Sequence, residues 1–169
     1  MTVSAPLRPI LLNGCARAAT AAEARFRIDR PIAGRAARVV ALDDGAADVV
    51  RRIAERPWHD ARFLISDGPG GGADADIPLR VIDGPGSTLS AELDAADVAI
   101  VVATSDRGAP AASAIARECD RRGIMTAALI VGGRIEAGAA VTALRPWAPV
   151  LLVTDDEEDV SEVLTALRA

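Results

Sequence analysis

The strongest constraint on the fold is a continuous apolar run that is followed by a small-residue loop, a helical pattern and a second apolar run. Val98–Ala103 contains only valine, alanine and isoleucine, which is typical of a strand buried on both faces of a parallel sheet. The chain then predicts a loop over Thr104–Pro110 and a helix over Ala111–Arg122. We expect Gly123 to end this helix and Met125–Val131 to form the next strand. The result is a β-loop-α-β unit, the connection that neighbouring parallel strands require.

The same alternation of strands and helices continues through most of the chain. The other expected strands are Ala37–Leu42, Ala61–Ser66, Leu79–Ile82 and Val150–Val153. The other expected helices are Ala46–Arg56, a short one through Leu93 that Ser87 or Thr88 caps, Arg134–Ala143 and Asp156–Leu167. This order predicts an α/β fold, a three-layer αβα sandwich around a mostly parallel, Rossmann-like sheet.

The length of 169 residues predicts a single domain. We expect residues 37–169 to form the α/β core. Residues 1–36 are expected to be an N-terminal extension packed on the sheet, with a short strand over Arg8–Leu12 and a helix over Ala16–Arg25. Pro31 and Gly34 mark the break between the two parts.

Composition excludes several classes of function. The net charge is −5, every basic residue is arginine, and the arginines are scattered, so no stripe is present that would follow a nucleic-acid backbone. No apolar run approaches the ~18–20 residues of a membrane span, and the first residues lack the pattern of a signal peptide. Cys15 and Cys119 are too few and too far apart for a disulfide framework. We expect a cytoplasmic protein that contacts neither nucleic acid nor membrane.

The loops that follow the strands are the expected binding region, because ligands bind beyond the carboxyl ends of strands in such sheets. These loops are Asp43–Ala47, Asp67–Asp76, Thr104–Pro110 and Gly132–Gly133. The candidate binding residues in them are Asp43, Asp44, Gly45, Asp67, Gly70, Gly71, Thr104, Ser105, Asp106, Arg107 and Gly108. No catalytic residue can be assigned from the sequence, and no metal-ligand spacing is present.

Four carboxylates in these loops are expected to meet at one edge of the sheet: Asp43, Asp44, Asp67 and Asp106. They are either solvated turn residues, which is the ordinary role of aspartate in turns, or a cluster that holds a divalent metal ion or acts as a base. His59, the only histidine, is expected on the surface between a helix and a strand rather than in the site.

Three further features of the sequence each allow one or two interpretations. Gly68–Gly72 is either a mobile lid over the site or a linker. Trp58 and Trp147 are expected to pack at the edge of the core, with the anchoring of a partner as the alternative. Cys119 is expected to be a buried thiol within a helix.

The loops and strands together resemble the nucleotide-binding domain of FtsZ, the bacterial tubulin homologue, from about Arg38 to about Ala169. Where that family has a strand, a glycine-rich turn and a helix, this chain has VVALDDGAADVVRRI, and FLISDG stands where the next strand ends near Asn-Thr-Asp. In the family, a strand that opens with Ala-Asp leads into the phosphate loop, and a helix with the pattern Ala-Ala-Pro-x-Ile-Ala follows. This order is similar to ADVAIVVATSDRGAPAASAIARECDRRGIMTAALIV. PVLLVTDDE is similar to the later strand that ends in an Asn-Asp pair. The resemblance implies a nucleotide-binding fold with a ligand of the GTP or GDP type.

The phosphate loop departs from that family. The family has Gly-Gly-Gly-Thr-Gly-Thr-Gly, whereas Thr104–Pro110 retains one glycine, Gly108. Glycines allow backbone N–H groups to approach phosphate oxygens closely. Pro110 offers no N–H, and Asp106 would repel a phosphate, although Arg107 offers donors to an anion.

The first turn departs in the same way, because Asp43, Asp44 and Gly45 stand where the family has a run of glycines. Two carboxylates at this place oppose a triphosphate unless a metal ion lies between them. The C-terminal half of FtsZ, which supplies the acidic loop that activates hydrolysis in a neighbouring subunit, also has no counterpart in this sequence. GTP hydrolysis by the family mechanism is therefore not expected.

Three functions remain open at this point. The first is an FtsZ-like binding or scaffold protein whose degenerate crevice binds a nucleotide or anion weakly or not at all, and which acts through protein contacts as a homo-oligomer or with a partner protein. The second is an enzyme that uses the aspartates and Arg107 on a phosphorylated or cofactor-borne substrate. The third is a subunit that needs another chain to complete its site. A sugar-phosphate isomerase-type domain also resembles the central unit, and it fits the flanking units less well.

Overall fold

The computed structural model describes residues 34–68, 76–133 and 136–169. The strands are β1 (Ala37–Ala41), β2 (Ala61–Ser66), β3 (Pro78–Val81), β4 (Gly86–Thr88), β5 (Val98–Ala103), β6 (Met125–Val131) and β7 (Val150–Thr154). The α-helices are α1 (Asp44–Ala54), α2 (Leu89–Leu93), α3 (Ala109–Arg122), α4 (Gly138–Leu144) and α5 (Glu158–Leu167). A 3₁₀ turn over Asp106–Gly108 joins β5 to α3.

The strands form one sheet in the order β4-β3-β2-β1-β5-β6-β7. The five strands from β2 to β7 in this order run parallel, whereas β3 and β4 form an antiparallel pair of strands at one edge. Helices α1 and α5 pack on one face, and α2, α3 and α4 pack on the other. The predicted three-layer α/β sandwich with a mostly parallel sheet is therefore confirmed.

Burial follows the apolar pattern of the sequence. Every residue of β5 is completely buried, as expected for a central strand covered on both faces. Helix α1 buries the apolar stripe that includes Val49, Val50 and Ile53 and turns its charged residues outward. Two cores result, one on each face of the sheet.

Most predicted boundaries agree with the structure. Strands β2, β5 and β6 have the predicted residues, and Thr88 caps α2 by accepting a hydrogen bond from the N–H of Ala91 at 3.4 Å. Helix α3 begins at Ala109 rather than Ala111, because the ring of Pro110 is compatible with the first helical turn. Gly123 ends that helix with a φ of 70°, a left-handed conformation that glycine adopts at no steric cost.

Other boundaries differ. Strand β4 and the antiparallel direction of β3 were not predicted, because these strands are short and flanked by Gly84-Pro85. Helix α1 begins two residues before the predicted start because Asp43 caps it, and α4 begins at Gly138 rather than Arg134. Residues 134 and 135 lie outside the described part of the chain, as do the elements predicted before residue 34.

A buried ion pair fixes α2 to the amino end of the sheet. Nε of Arg38 on β1 lies 3.3 Å from Oε2 of Glu92, and the two side chains are 7% and 5% exposed. Arg38 also donates to the carbonyl oxygens of Glu92 and Ala95. The other oxygen of Glu92 accepts from the hydroxyl of Ser87 at 2.7 Å and lies 3.2 Å from the guanidinium of Arg62.

No helix among the described residues is long and apolar enough to cross a membrane.

Candidate functional site

The strand order places the site. The chain leaves β1 through α1 to reach β2 on one side, and the strand on the other side of β1 is β5. The connections diverge at this point of the sheet, and a crevice opens there beyond the carboxyl ends of the strands. The segments at this point are the β1–α1 turn and the β5–α3 turn. Both are among the loops that the sequence predicts to form the binding region.

Asp43 connects the two turns through its carboxylate. Its Oδ1 accepts a hydrogen bond from the N–H of Ala46 at 2.9 Å and one from the hydroxyl of Thr104 at 2.5 Å. Its Oδ2 accepts from the N–H groups of Thr104 at 2.9 Å and Ser105 at 3.0 Å. Four donors from two loops therefore converge on one carboxylate.

These hydrogen bonds set the protonation of Asp43. Burial by itself raises the pKa of an aspartate, since it disfavours the charged form. The hydrogen bonds from the Thr104 hydroxyl and from the N–H groups of Ala46, Thr104 and Ser105 outweigh that effect and lower the pKa of Asp43 below its ordinary value. The site therefore contains a carboxylate that is held in its charged form.

Two glycines allow the turns to approach each other. A Cβ on Gly45 would lie 2.3 Å from Oγ1 of Thr104, and a Cβ on Gly108 would lie 2.4 Å from Cβ of Leu42 and 2.8 Å from its carbonyl oxygen. A side chain at either position would require these neighbouring atoms to shift. Both glycines are explained by close packing between the turns, which differs from the phosphate approach that glycines provide in phosphate loops.

A cleft of about 300 Å³ lies beside Asp43. The described residues that line it are Leu42, Asp43, Asp44, Ile65, Ser66, Asp67, Arg80 and Arg107. Arg80 pairs with Asp67 across the rim at 3.3 Å, and both side chains are about half exposed. Arg107 makes no ion pair within the described part of the chain. The cleft therefore offers two guanidinium groups and three carboxylates to a small polar molecule.

Asp106 is directed elsewhere. Its Oδ1 accepts hydrogen bonds from the N–H groups of Ala139 at 2.6 Å and Ala140 at 3.1 Å, in the first turn of α4. A carboxylate is favourable at the N-terminus of a helix, where N–H groups lack partners within the helix. Asp106 thus joins the β5–α3 turn to α4 rather than lining the cleft.

The structure therefore divides the predicted residues into groups. It brings Asp43, Asp44, Asp67 and Arg107 to one cleft and places Gly45, Thr104, Ser105 and Gly108 in the paired turns around it. Gly70 and Gly71 lie outside the described residues, as does the segment predicted to be a lid or linker from residue 69 onward.

Four residues that are not among the candidate binding residues also line the cleft: Leu42, Ile65, Ser66 and Arg80. Ser66 and Ile65 end a predicted strand, so their position at its carboxyl end was a usable signal. Arg80 is brought to the cleft by the antiparallel pairing of β3 with β2, which the sequence does not reveal.

The remaining chemistry-bearing side chains lie away from the cleft. His59 is exposed in the loop before β2, as predicted. Cys119 is buried in α3, and this burial raises the pKa of its thiol to about 11, so the thiol is inert at neutral pH. Within the described residues, no group of three or more histidine, cysteine, aspartate and glutamate side chains is arranged to hold a metal ion.

The comparisons with known proteins give no family for the chain. The sequence matches no protein-family model, and no curated protein matches it.

Proposed function

We propose that this chain is an FtsZ-like binding or scaffold protein whose nucleotide crevice is occupied by its own carboxylates, and that it acts through protein contacts rather than by hydrolysing GTP. The observation that carries the proposal is the set of four donors on the carboxylate of Asp43. In a functional phosphate site, backbone N–H groups at the ends of strands and the starts of helices bind the anion. Here Asp43 supplies the anion from within the chain.

Charge supports the same interpretation. A phosphate group that entered the cleft would come close to the carboxylates of Asp43 and Asp44, which both line it. It would have to displace Asp43 from its hydrogen bonds, which leaves a partly buried carboxylate without partners and is unfavourable. The crevice is therefore expected to bind nucleotides weakly or not at all.

The proposal extends to partners and location. We expect a homo-oligomer or a complex with a partner protein, no binding of nucleic acid, and a cytoplasmic protein. The net charge of −5 and the scattered arginines support the absence of nucleic-acid binding.

A thermal-shift screen of the purified chain tests this function. The ligands are GTP, GDP, ATP, NAD(P), flavins and sugar phosphates, each at millimolar concentration with and without Mg²⁺. A ligand at about 100 times its Kd would stabilise the fold by about 2.7 kcal/mol. We expect no such shift. A shift that Arg107→Ala abolishes and a distant exposed variant, Arg121→Ala, retains would contradict the proposal.

One observation favours a second candidate, an enzyme that acts on a phosphorylated or cofactor-borne substrate. The cleft places the guanidinium groups of Arg107 and Arg80 beside the carboxylates of Asp44 and Asp67. Arginine is suited to phosphate, and a carboxylate nearby can accept a proton. A ligand found in the same screen, followed by turnover that Asp44→Asn or Asp67→Asn removes, would establish this alternative.

A further inference from the structure

The two edges of the sheet differ in how they are protected. Strand β4, at one edge, has three residues, Gly86–Thr88, with two hydroxyl side chains and a preceding proline. Short polar strands of this kind resist pairing with other chains. Strand β7, at the other edge, has five residues, VLLVT, with no charge and no proline. No strand among the described residues pairs with its outer side.

We infer that the outer edge of β7 pairs antiparallel with β7 of a second copy of this chain, so that two sheets join into one across a two-fold axis. This inference rests on the proposed function, which requires a protein contact, and it names the surface and the partner.

The exposure of β7 supports the inference. Val150 is 39% exposed and is the one exposed large apolar side chain in the described part of the chain. Leu151, Leu152 and Val153 are half-buried, whereas the residues of the neighbouring strand β6 after Met125 are buried. Leu151 contacts the core on one face of the sheet and Leu152 the core on the other, so both cores reach this edge incompletely covered.

The direction of the backbone groups restricts the register of the pairing. The carbonyl oxygen of Thr154 accepts a hydrogen bond from the N–H of Gly132, the residue directly after β6. The backbone groups of Thr154 therefore face β6 rather than the open edge. Because successive residues of a strand alternate, Leu151 and Val153 direct their N–H and C=O groups outward. An axis that passes through Leu152 places Leu151 opposite Val153 of the second copy and uses all these groups. A register shifted to pair Val153 with Pro149 would lose a donor, since proline has no N–H.

Opposite charges flank the two ends of β7, and they are complementary in an antiparallel pair. Asp155 and Asp156 follow the strand, and the exposed Arg145 lies shortly before it at the end of α4. In an antiparallel pair the carboxyl end of each strand lies beside the amino end of the other. Neither Arg145 nor Asp155 forms an ion pair within the described residues, so each is available to the second copy. A second copy therefore pairs with the edge and covers its apolar side chains, and its antiparallel direction brings the acidic end of one strand to the arginine end of the other.

Sedimentation velocity of the full chain and cysteine cross-linking test the register. In a Cys15→Ser background, Leu152→Cys places two thiols across the axis at a Cα separation of about 4.5 Å, within the range of disulfides. The matched control, Val150→Cys, lies at the more exposed position, but its two copies are four strand residues apart, about 13 Å. We expect a dimer by mass and a disulfide for Leu152→Cys alone.

A charge exchange provides a second test that leaves the apolar side chains unchanged. Asp155→Arg and Arg145→Asp should each weaken the dimer at least tenfold, and the double variant should restore it. A wild-type chain that remains monomeric at high micromolar concentration would overturn the inference. In that case another segment of the chain or another protein, rather than a second copy, covers the edge of β7. A dimer that both single variants leave intact, or an equally fast cross-link at position 150, would also overturn it. These outcomes are independent of nucleotide binding, so failure of this inference is distinguishable from failure of the proposed function.

Discussion

Asp43 and Glu92 are carboxylates at opposite ends of the same sheet, and they have different kinds of partners. Glu92, at the amino end, lies against the buried guanidinium of Arg38 and the half-exposed one of Arg62. Asp43, at the carboxyl end, accepts hydrogen bonds from a hydroxyl and from backbone N–H groups, with no cation among its hydrogen-bond partners.

This difference in partners distinguishes the structural role of Glu92 from the role of Asp43 in the candidate site. Glu92 lies against two guanidinium groups and also accepts a hydrogen bond from the hydroxyl of Ser87. Without Glu92 the buried Arg38 would lack a counter-charge, so this arrangement suits a fixed internal carboxylate. The partners of Asp43 are neutral donors that would suit any anion of appropriate size. At the carboxyl end, three backbone N–H groups and one hydroxyl therefore converge on one anionic group, and Asp43 is that group.

The largest expected effect is at the amino end. Glu92→Ala should lower the free energy of unfolding by about 3–5 kcal/mol, because it leaves the buried Arg38 without a counter-charge. Urea denaturation measures this value. The double variant Arg38→Met/Glu92→Leu should recover most of the loss, and a double variant that is no more stable than Glu92→Ala would contradict the assignment of the loss to an unpaired charge.

Gly45→Ala tests the close approach of the turns at the carboxyl end. Its Cβ would overlap Oγ1 of Thr104 and displace the hydroxyl from Asp43, at an expected cost of about 1–3 kcal/mol. Gly138→Ala is the control, since its Cβ meets no atom of the described structure within 4 Å. Equal unfolding midpoints for the two variants would refute the packing role of Gly45.

The pH dependence of stability distinguishes Asp43 from its exposed neighbour. The lowered pKa of Asp43 means that its contribution is complete above about pH 4, the ordinary pKa of an aspartate, and is lost as the pH falls through the lower value of the folded chain. The difference in unfolding free energy between wild type and Asp43→Asn should therefore be larger at pH 7 than at pH 2.5.

A second carboxylate with a lowered pKa also affects stability at low pH, so the effect of Asp43 must be taken as the difference between wild type and variant. Hydrogen bonds from Arg121 and Arg122 lower the pKa of Glu118 to about 2, so Glu118 also contributes to acid unfolding. Its contribution cancels between wild type and variant. Asp44→Asn is the control at the exposed neighbouring position, and the same dependence in both variants would argue against a specific role for Asp43.

The smallest effect is expected for Arg62→Ala. Its side chain is 48% exposed, and water screens its interaction with Glu92. The variant should lose less than about 1 kcal/mol in the same urea experiment. A loss as large as that of Glu92→Ala would show that the buried Arg38 does not by itself hold Glu92.

The fold was predictable where the periodic pattern is strong. The uninterrupted apolar runs at Val98–Ala103 and Met125–Val131 leave little choice but buried strands, and Gly123 marks the end of the helix between them. The pair β3 and β4 was not recognisable as antiparallel, because three or four residues next to a Gly-Pro turn carry too little pattern to fix a direction.

The location of the site was also predictable, but the partners of its side chains were not. The sequence predicts that Asp43 is either a solvated turn residue or part of a cluster that holds a metal ion or acts as a base. Its position directly before a helix is also the ordinary signature of a capping residue. That it also binds the N–H groups of Thr104 and Ser105 depends on the contact between two turns 61 residues apart. The charge of Arg38 within an apolar strand was a signal of a buried partner, yet the sequence does not identify Glu92 as that partner.

The most direct test of the internal anion is chemical rescue of Asp43→Ala. This variant leaves the N–H groups of Ala46, Thr104 and Ser105 without their acceptor, and it should lose about 1–3 kcal/mol of stability. The melting temperatures of wild type, Asp43→Ala and the control Asp44→Ala would be measured against formate and inorganic phosphate at constant ionic strength. The account predicts that these anions raise the melting temperature of Asp43→Ala by several degrees more than that of the other two proteins. Equal responses of all three proteins would contradict it.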